Sequence, residues 1–246
     1  MALLQLEGIS KRFGRVVVAE GISFQLEEGK SLGVIGPNGA GKSSMFGLIS
    51  GDIKPDEGSI NFDGTDLRAV RAPTRCRMGI GRTYQIPQPF EHLNVFENAL
   101  VAAQQGARTR GSESYELAYH AVERTGLADL ANRPAGSLTL LHRKRLELAR
   151  ALATRPKMLL LDEIAGGLTD PEVLELTEVI KNFQRDGLAI IWIEHVVRAL
   201  LSTVDRLMCI ANGAVIADGD PHEVLRSEAV RSVYLGGKII NEAPLG

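Results

Sequence analysis

The sequence predicts an α/β fold: a mainly parallel sheet covered on both faces, joined to an antiparallel β section and interrupted by a helical block. Three observations predict it. The opening "LLQLEGISKRFGRVVVAEGISFQLEEG" carries short alternating runs bounded by glycines, the pattern of antiparallel strands. Apolar runs such as "MLLLDE" and "AIIWIEH" alternate with amphipathic helical stretches, which implies parallel strands connected by helices. Between Pro87 and Thr154 that alternation stops and the pattern turns largely helical, with segments near 95–105, 113–126 and 140–154.

Taken in order, "KSLGVIGPNGAGKSSMFGLISG" reads as a short apolar strand, a glycine-rich turn and a helix. "GSINFDGTDL" is a strand followed by a turn. After the helical block come the strand "MLLLDE", the helix "PEVLELTEVIKNFQRDG", the strand "AIIWIEH" ending at His195, and the helix "VVRALLST". The end, "RLMCIANGAVIADGDPHEVL", is a hairpin turned by Asn212-Gly213 and then a short helix. The expected organisation is a core from 1–86 and 155–246, including the antiparallel β section, with 87–154 as an inserted helical subdomain.

The chain has 246 residues, 44% of them apolar and 24% charged, which suits a large globular domain with a real core. A net charge of −2 offers no footprint for bulk nucleic acid. Cys76 and Cys209 lie far apart with no metal-ligand spacing and read as free thiols. No run approaches the roughly eighteen apolar residues of a membrane-spanning helix, so any work at a membrane requires other polypeptides to span it.

Chemistry concentrates in "GPNGAGKS", Gly36 to Ser43, which matches G-x-x-x-x-G-K-[ST] between a predicted strand and helix. Gly36, Pro37, Asn38, Gly39, Ala40 and Gly41 form a loop whose amides can wrap phosphate oxygens. Lys42 reaches the β- and γ-phosphates, Ser43 ligates Mg²⁺, and Ser44 continues the first helical turn behind them. The fold class sharpens accordingly to a P-loop NTPase (RecA-like) core. "MLLLDE" delivers Asp162 to hold Mg²⁺ and Glu163 to polarise an attacking water as general base. Three further residues have ordinary structural explanations when taken singly. Phe13 could stack on adenine, Gln85 at the end of strand-like "GRTYQ" could reach Mg²⁺ or the water, and His195 could sense the γ-phosphate.

With these residues in hand, the chain resembles the ATP-binding subunits of ABC transporters over residues 3 to 236. The parts stand in that family's order: the aromatic at Phe13, the Walker A loop at 36–43, the Q-loop at Gln85, a signature helix at 138–152, Walker B at 158–163, the D-loop "GGLTDPE" and the switch His195. Order and spacing together lift Phe13, Gln85 and His195 above their ordinary explanations. Within the family the chain looks most like subunits that energise importers of branched-chain amino acids and similar small polar solutes. The segments "YQIPQPFEHLNVFENALVAA", "DEIAGGLTDPEV", "IEHVVRAL" and "PHEVLRSEAVRSVYLGG" carry that likeness. The lipopolysaccharide-export ATPase is similar in size and motifs.

The resemblance implies ATP and Mg²⁺ as ligands and a head-to-tail dimer with a second ATPase subunit, either a second copy or a different chain. It also implies two membrane permeases, a soluble substrate-binding protein and a place on the cytoplasmic face of the inner membrane. Each ATP would touch Walker A of one chain and, in trans, Thr139 in the signature of the other. The segment after Gln85 would receive the permease, so Phe90, Leu93 and Phe96 need not all serve this chain's own core. The signature departs from the family pattern: LSGGQ aligns with Leu138-Thr139-Leu140-Leu141-His142. Leu141 replaces a glycine and costs room unless it turns into the core, while Thr139 keeps a hydroxyl able to cap the helix. Ile164 stands where many relatives carry proline. An ATP-binding switch with little hydrolysis is the alternative that this signature permits. A soluble ABC ATPase of DNA repair or translation would bring tandem cassettes, coiled coils or basic arms, which the sequence lacks.

Overall fold

The structure, a computed structural model, describes residues 2–234. The chain divides into two compact units, one formed by residues up to Arg71 together with those from Ile191 onward, the other by Ala72–Ile190.

The first unit opens with two long antiparallel strands, β1 (Ala2–Phe13) and β2 (Val16–Glu27). Along β2 the buried Ile22, Phe24 and Leu26 alternate with exposed Ser23, Gln25 and Glu27, the period-two signature of a sheet with one wet face. β3 (Ser31–Ile35) is buried at every position and leads through the glycine-rich loop into α1 (Lys42–Ser50). β4 (Glu57–Phe62) returns to pair with β1, and the short β5 (Thr65–Asp66) completes the order β2-β1-β4-β5.

The second unit begins with α2 (Ala72–Arg77) and β6 (Ile80–Arg82), then runs through α3 (Val95–Gln105), α4 (Ser112–Arg124) and α5 (Leu140–Leu152). The three longer helices lie where the 3.6-residue pattern predicts them. Asn94 starts α3 with a capping box to Glu97. Val95, Ala99, Ala118, Val122, Leu146 and Ala149 belong to one buried cluster that α3, α4 and α5 share, with Phe96 packed against it. β7 (Met158–Asp162) is buried throughout and runs parallel to β6, and α6 (Asp170–Arg185) follows under a Thr169–Glu172 capping box.

β8 (Ala189–Ile193) straddles the division between the units. The first unit resumes with α7 (Val197–Leu201), β9 (Arg206–Ala211), β10 (Ala214–Gly219), α8 (Pro221–Arg226) and α9 (Glu228–Tyr234). β9 lies parallel to β3 and antiparallel to β10, and the turn between them uses Asn212 and Gly213 at φ 50° and 79°. Asp205 holds the start of β3, accepting from the Ser31 amide at 2.8 Å and its hydroxyl at 2.9 Å.

Two boundaries differ from the sequence expectation. The strand expected to end at His195 stops at Ile193, and the strand-like "GRTYQ" is strand only to Arg82, so His195 and Gln85 both sit on connections. Leu235-Gly236-Gly237, the end of the segment likened to amino-acid importers, lies outside the described residues. Among the described residues no helix is long and apolar enough to cross a membrane.

Candidate functional site

The phosphate loop belongs to the first unit. Its tight path needs glycine at two places for different reasons than openness. A Cβ on Gly36, at φ 155°, would sit 2.1 Å from the Ile210 carbonyl oxygen. One on Gly41, at φ 101°, would sit 2.1 Å from that of Val18. Gly39, at φ 79°, faces open space and needs only the left-handed backbone. The Ala40 amide closes the loop on the Pro37 carbonyl at 3.2 Å, and the Gly213 amide holds the Ala40 carbonyl at 3.0 Å.

Lys42 is 5% exposed, and its Nζ donates to the carbonyls of Gly36 at 2.8 Å and Pro37 at 3.0 Å. The ammonium is therefore wrapped by its own loop while Asn38, Gly39 and Ser43 stay exposed and Pro37 and Ser44 half-buried. A buried cation beneath an exposed turn at a helix N-terminus fits a phosphate group. Phe13 ends β1 with 53% of its surface exposed and Lys11 Nζ over its ring, 5.2 Å from the centroid, an aromatic of the kind on which a base can stack. His195 is exposed, with its amide donating to the buried Glu194 carboxylate at 3.1 Å, and the Glu194 amide donates to Val34 of β3. Burial raises the Cys209 thiol to about 11 despite nearby Lys42, which makes it a core residue rather than a nucleophile.

The second unit carries the acids. Asp162, 4% exposed, closes β7; its carboxylate lies 3.4 Å from Arg82 Nη2, and its amide donates to Thr83 Oγ1 at 3.3 Å. Glu163 does not continue the strand: it turns to φ 47°, a left-handed conformation that costs a non-glycine residue about 1–3 kcal/mol. That turn takes its carboxylate to the Gln85 side chain, whose Nε2 donates to Oε2 at 2.7 Å. The structure thus brings Gln85 and Glu163 together. Among the described residues no cluster of three or more His, Cys, Asp or Glu gathers. In the second unit Gln85 and Asp162 offer an amide and a single carboxylate, and in the first Ser43 offers an exposed hydroxyl, oxygen donors of the kinds that suit Mg²⁺.

Thr139 caps α5, accepting from the His142 amide at 3.4 Å while its hydroxyl lies 3.0 Å from His142 Nδ1. Burial, reinforced by Arg145 and Arg133, lowers the His142 pKa. The two adjacent leucines part company: Leu141 is 6% exposed and turned into the core, whereas Leu140 is 42% exposed and approaches Gly167. The concern over lost room therefore passes from Leu141 to Leu140. Phe90 is 48% exposed, but Leu93 and Phe96 are half-buried. Tyr84 and Ile86 are 51% and 70% exposed; Ile86 opens the segment expected to receive a permease, whereas Tyr84 was not singled out in the sequence. Sequence reading also missed Lys144, 3% exposed at the carbonyls of Gln85 and Glu163.

Comparison with known proteins bears on this arrangement. The family described as ABC transporter matches residues 19–166, and the family described as branched-chain amino acid ATP-binding cassette transporter matches residues 214–239. The chain is 32% identical to the high-affinity branched-chain amino acid transport ATP-binding protein BraF of Pseudomonas aeruginosa, over 95% of this chain and 98% of the relative. It is also 32% identical to the lipopolysaccharide export system ATP-binding protein LptB of Escherichia coli, over 96% and 98%. A solved structure of the ADP conformation of MJ1267, an ATP-binding cassette of an ABC transporter, superposes with a TM-score of 0.87. Its identity is 30%, and the match covers 96% of this chain and 100% of that one.

Proposed function

We propose a function that proceeds from what the chain is: it belongs to the ABC transporter family, as a nucleotide-binding ATPase subunit of a transporter with the α/β P-loop fold. The finer reading is an importer of branched-chain amino acids or similar small polar solutes. The observation that carries it is the second family match at 214–239, which falls outside the catalytic motifs and bears the branched-chain amino acid description. LptB, at the same identity as BraF, supports lipopolysaccharide export as the second reading.

On this reading two ATPase chains pair head to tail at the cytoplasmic face of the membrane. They work with two permeases and an external substrate-binding protein. The loop from Gly36 to Gly41 and Lys42 hold the phosphates of ATP, Ser44 supports them from the first turn of α1, and Phe13 stacks on adenine. Ser43, Asp162 and Gln85 would hold Mg²⁺, which would supply charge neutralisation at the phosphates. Glu163 takes a proton from the water that attacks the γ-phosphorus in line, and Gln85, bonded to that carboxylate, sets its direction. His195 contacts the γ-phosphate, and Thr139 closes the partner's site in trans. Exposed Tyr84, Ile86 and Phe90 form the surface offered to a permease.

The test is Glu163→Gln together with reconstitution. The variant retains ATP binding, loses hydrolysis and accumulates as a closed dimer with ATP. A monomer that still turns over ATP sinks the composite-site mechanism. Wild-type chain reconstituted with its permeases shows ATPase activity stimulated by a binding protein loaded with leucine, isoleucine or valine. Stimulation by lipopolysaccharide instead selects the second reading.

A further inference from the structure

The helix that follows the signature, α5, contains three charged residues at i, i+3 and i+6 that do not face solvent in the ordinary way. Lys144 is 3% exposed and Glu147 6%, although both lie in the polar-looking run "RKRLELAR". Burying an ammonium is costly unless its donors are met. Lys144 Nζ finds the backbone carbonyls of Gln85 at 3.4 Å and Glu163 at 3.5 Å. One turn and a half further on, Arg150 Nη1 donates to the Gln88 carbonyl at 2.9 Å and to Glu147 Oε2 at 2.8 Å. Its guanidinium also lies 5.3 Å from the centroid of the Phe90 ring. At the other end of the helix, Arg143 holds the approach to Thr139 through the carbonyls of Gly136 at 2.7 Å and Leu138 at 3.1 Å.

We propose that buried Lys144 and Glu147, continued by half-buried Arg150, make α5 a positioning bar for the reaction. Lys144 fixes the backbone under both partners of the Gln85–Glu163 pair, and Arg150, oriented by Glu147, grips the segment leading to Phe90. Glu163 keeps its φ of 47° only if something outside the residue over-determines it. A cation shared between its carbonyl and that of Gln85 does so, and it keeps the 2.7 Å side-chain bond in register. A displacement of Phe90 or of Thr139 is then passed to the carboxylate through one rigid helix rather than through flexible loop. Lys144 acts through the backbone carbonyls of Gln85 and Glu163 and is a positioning residue. The inference rests on the reading of Glu163 as general base.

The experiment is Lys144→Met in the full chain, measured for kcat, KM for ATP and thermal midpoint beside wild type and Glu163→Gln. Methionine fills the slot without charge or donors, and it removes the cost of holding an ammonium out of water, which offsets the two long carbonyl contacts given up. The expected result is a kcat lowered roughly ten- to a hundred-fold, the range for a reacting group misplaced by about 1 Å. KM for ATP and the midpoint stay near wild type. An unchanged kcat overturns the inference, as does a fall in kcat matched by a higher KM and a lost midpoint. If Lys144→Met does not fold, Arg150→Met decides: a several-fold fall in kcat at constant KM supports the bar, and wild-type kinetics overturn it. An inactive Glu163→Gln beside a wild-type-like Lys144→Met removes this inference alone. An active Glu163→Gln removes the general-base reading with it.

Discussion

Replacing each of the two signature leucines separately distinguishes the side chain that belongs to the core from the one offered to a partner. Leu141 is 6% exposed on the first turn of α5, so Leu141→Ala deletes fully buried carbon atoms. Such a change costs about 2–5 kcal/mol, and alanine adds no helix penalty to offset or enlarge it. In a chain of this length each kcal/mol moves the thermal midpoint by about 2–4 °C, so the expected loss is about 4–20 °C. Leu140 is 42% exposed and loses a smaller buried surface. Leu140→Ala should cost about 1–2 kcal/mol, a shift of roughly 2–8 °C. Turnover should rank the other way. Leu140→Ala changes ATPase activity of the assembled dimer, because that side chain lies at the exposed helix start where the partner's nucleotide would approach. Leu141→Ala leaves activity per folded molecule unaltered. Circular dichroism melts and a steady-state ATPase assay at a temperature below both midpoints measure the two effects. A larger midpoint loss for Leu140→Ala, or altered turnover from Leu141→Ala with an intact midpoint, would refute the assignment of the two faces.

The phosphate loop and the buried acid on α5 give two more tests. Gly36→Ala forces a Cβ to 2.1 Å from the Ile210 carbonyl oxygen, which backbone cannot yield, whereas Gly39→Ala meets nothing within 4 Å. The first should cost about 3 kcal/mol or more and abolish ATP binding, the second about 1–2 kcal/mol from its left-handed backbone alone. Equal midpoint losses would contradict this. Burial raises the pKa of Glu147 above its ordinary value of 4.5, against the pull of Arg150. The folded protein therefore binds this proton more readily than the unfolded chain, and stability falls as pH rises through the folded pKa. Glu147→Gln should raise the midpoint at neutral pH, with the gain vanishing as pH falls toward 4.5; a gain independent of pH would mean that charge burial is not its source.

What the sequence made legible divides by the length over which a pattern can repeat. The helices at 95–105, 112–124 and 140–152 span three or more turns and carry side-chain caps at Asn94 and Thr139, so their period survives every local exception. α2 and β6 have six and three residues, too few to establish any period, and only tertiary contacts define them. The phosphate loop was legible because its chemistry demands particular residue types in a fixed frame. The Gln85–Glu163 pair was only half legible: residue type marked both partners, but their meeting depends on the backbone of Glu163 leaving the strand at φ 47°. Lys144 shows how spacing and residue type can disagree. Leu141, Lys144, Leu148 and Ala151 follow one another at three or four residues and are all buried, so position alone places the lysine on the inward face. Charge argues for solvent, and at most helical positions charge wins. It loses here because two carbonyls, on Gln85 and Glu163, lie where the ammonium arrives. A charged residue in phase with the apolar stripe of its helix is thus a signal in itself, and in this chain it points at the backbone of Gln85 and Glu163.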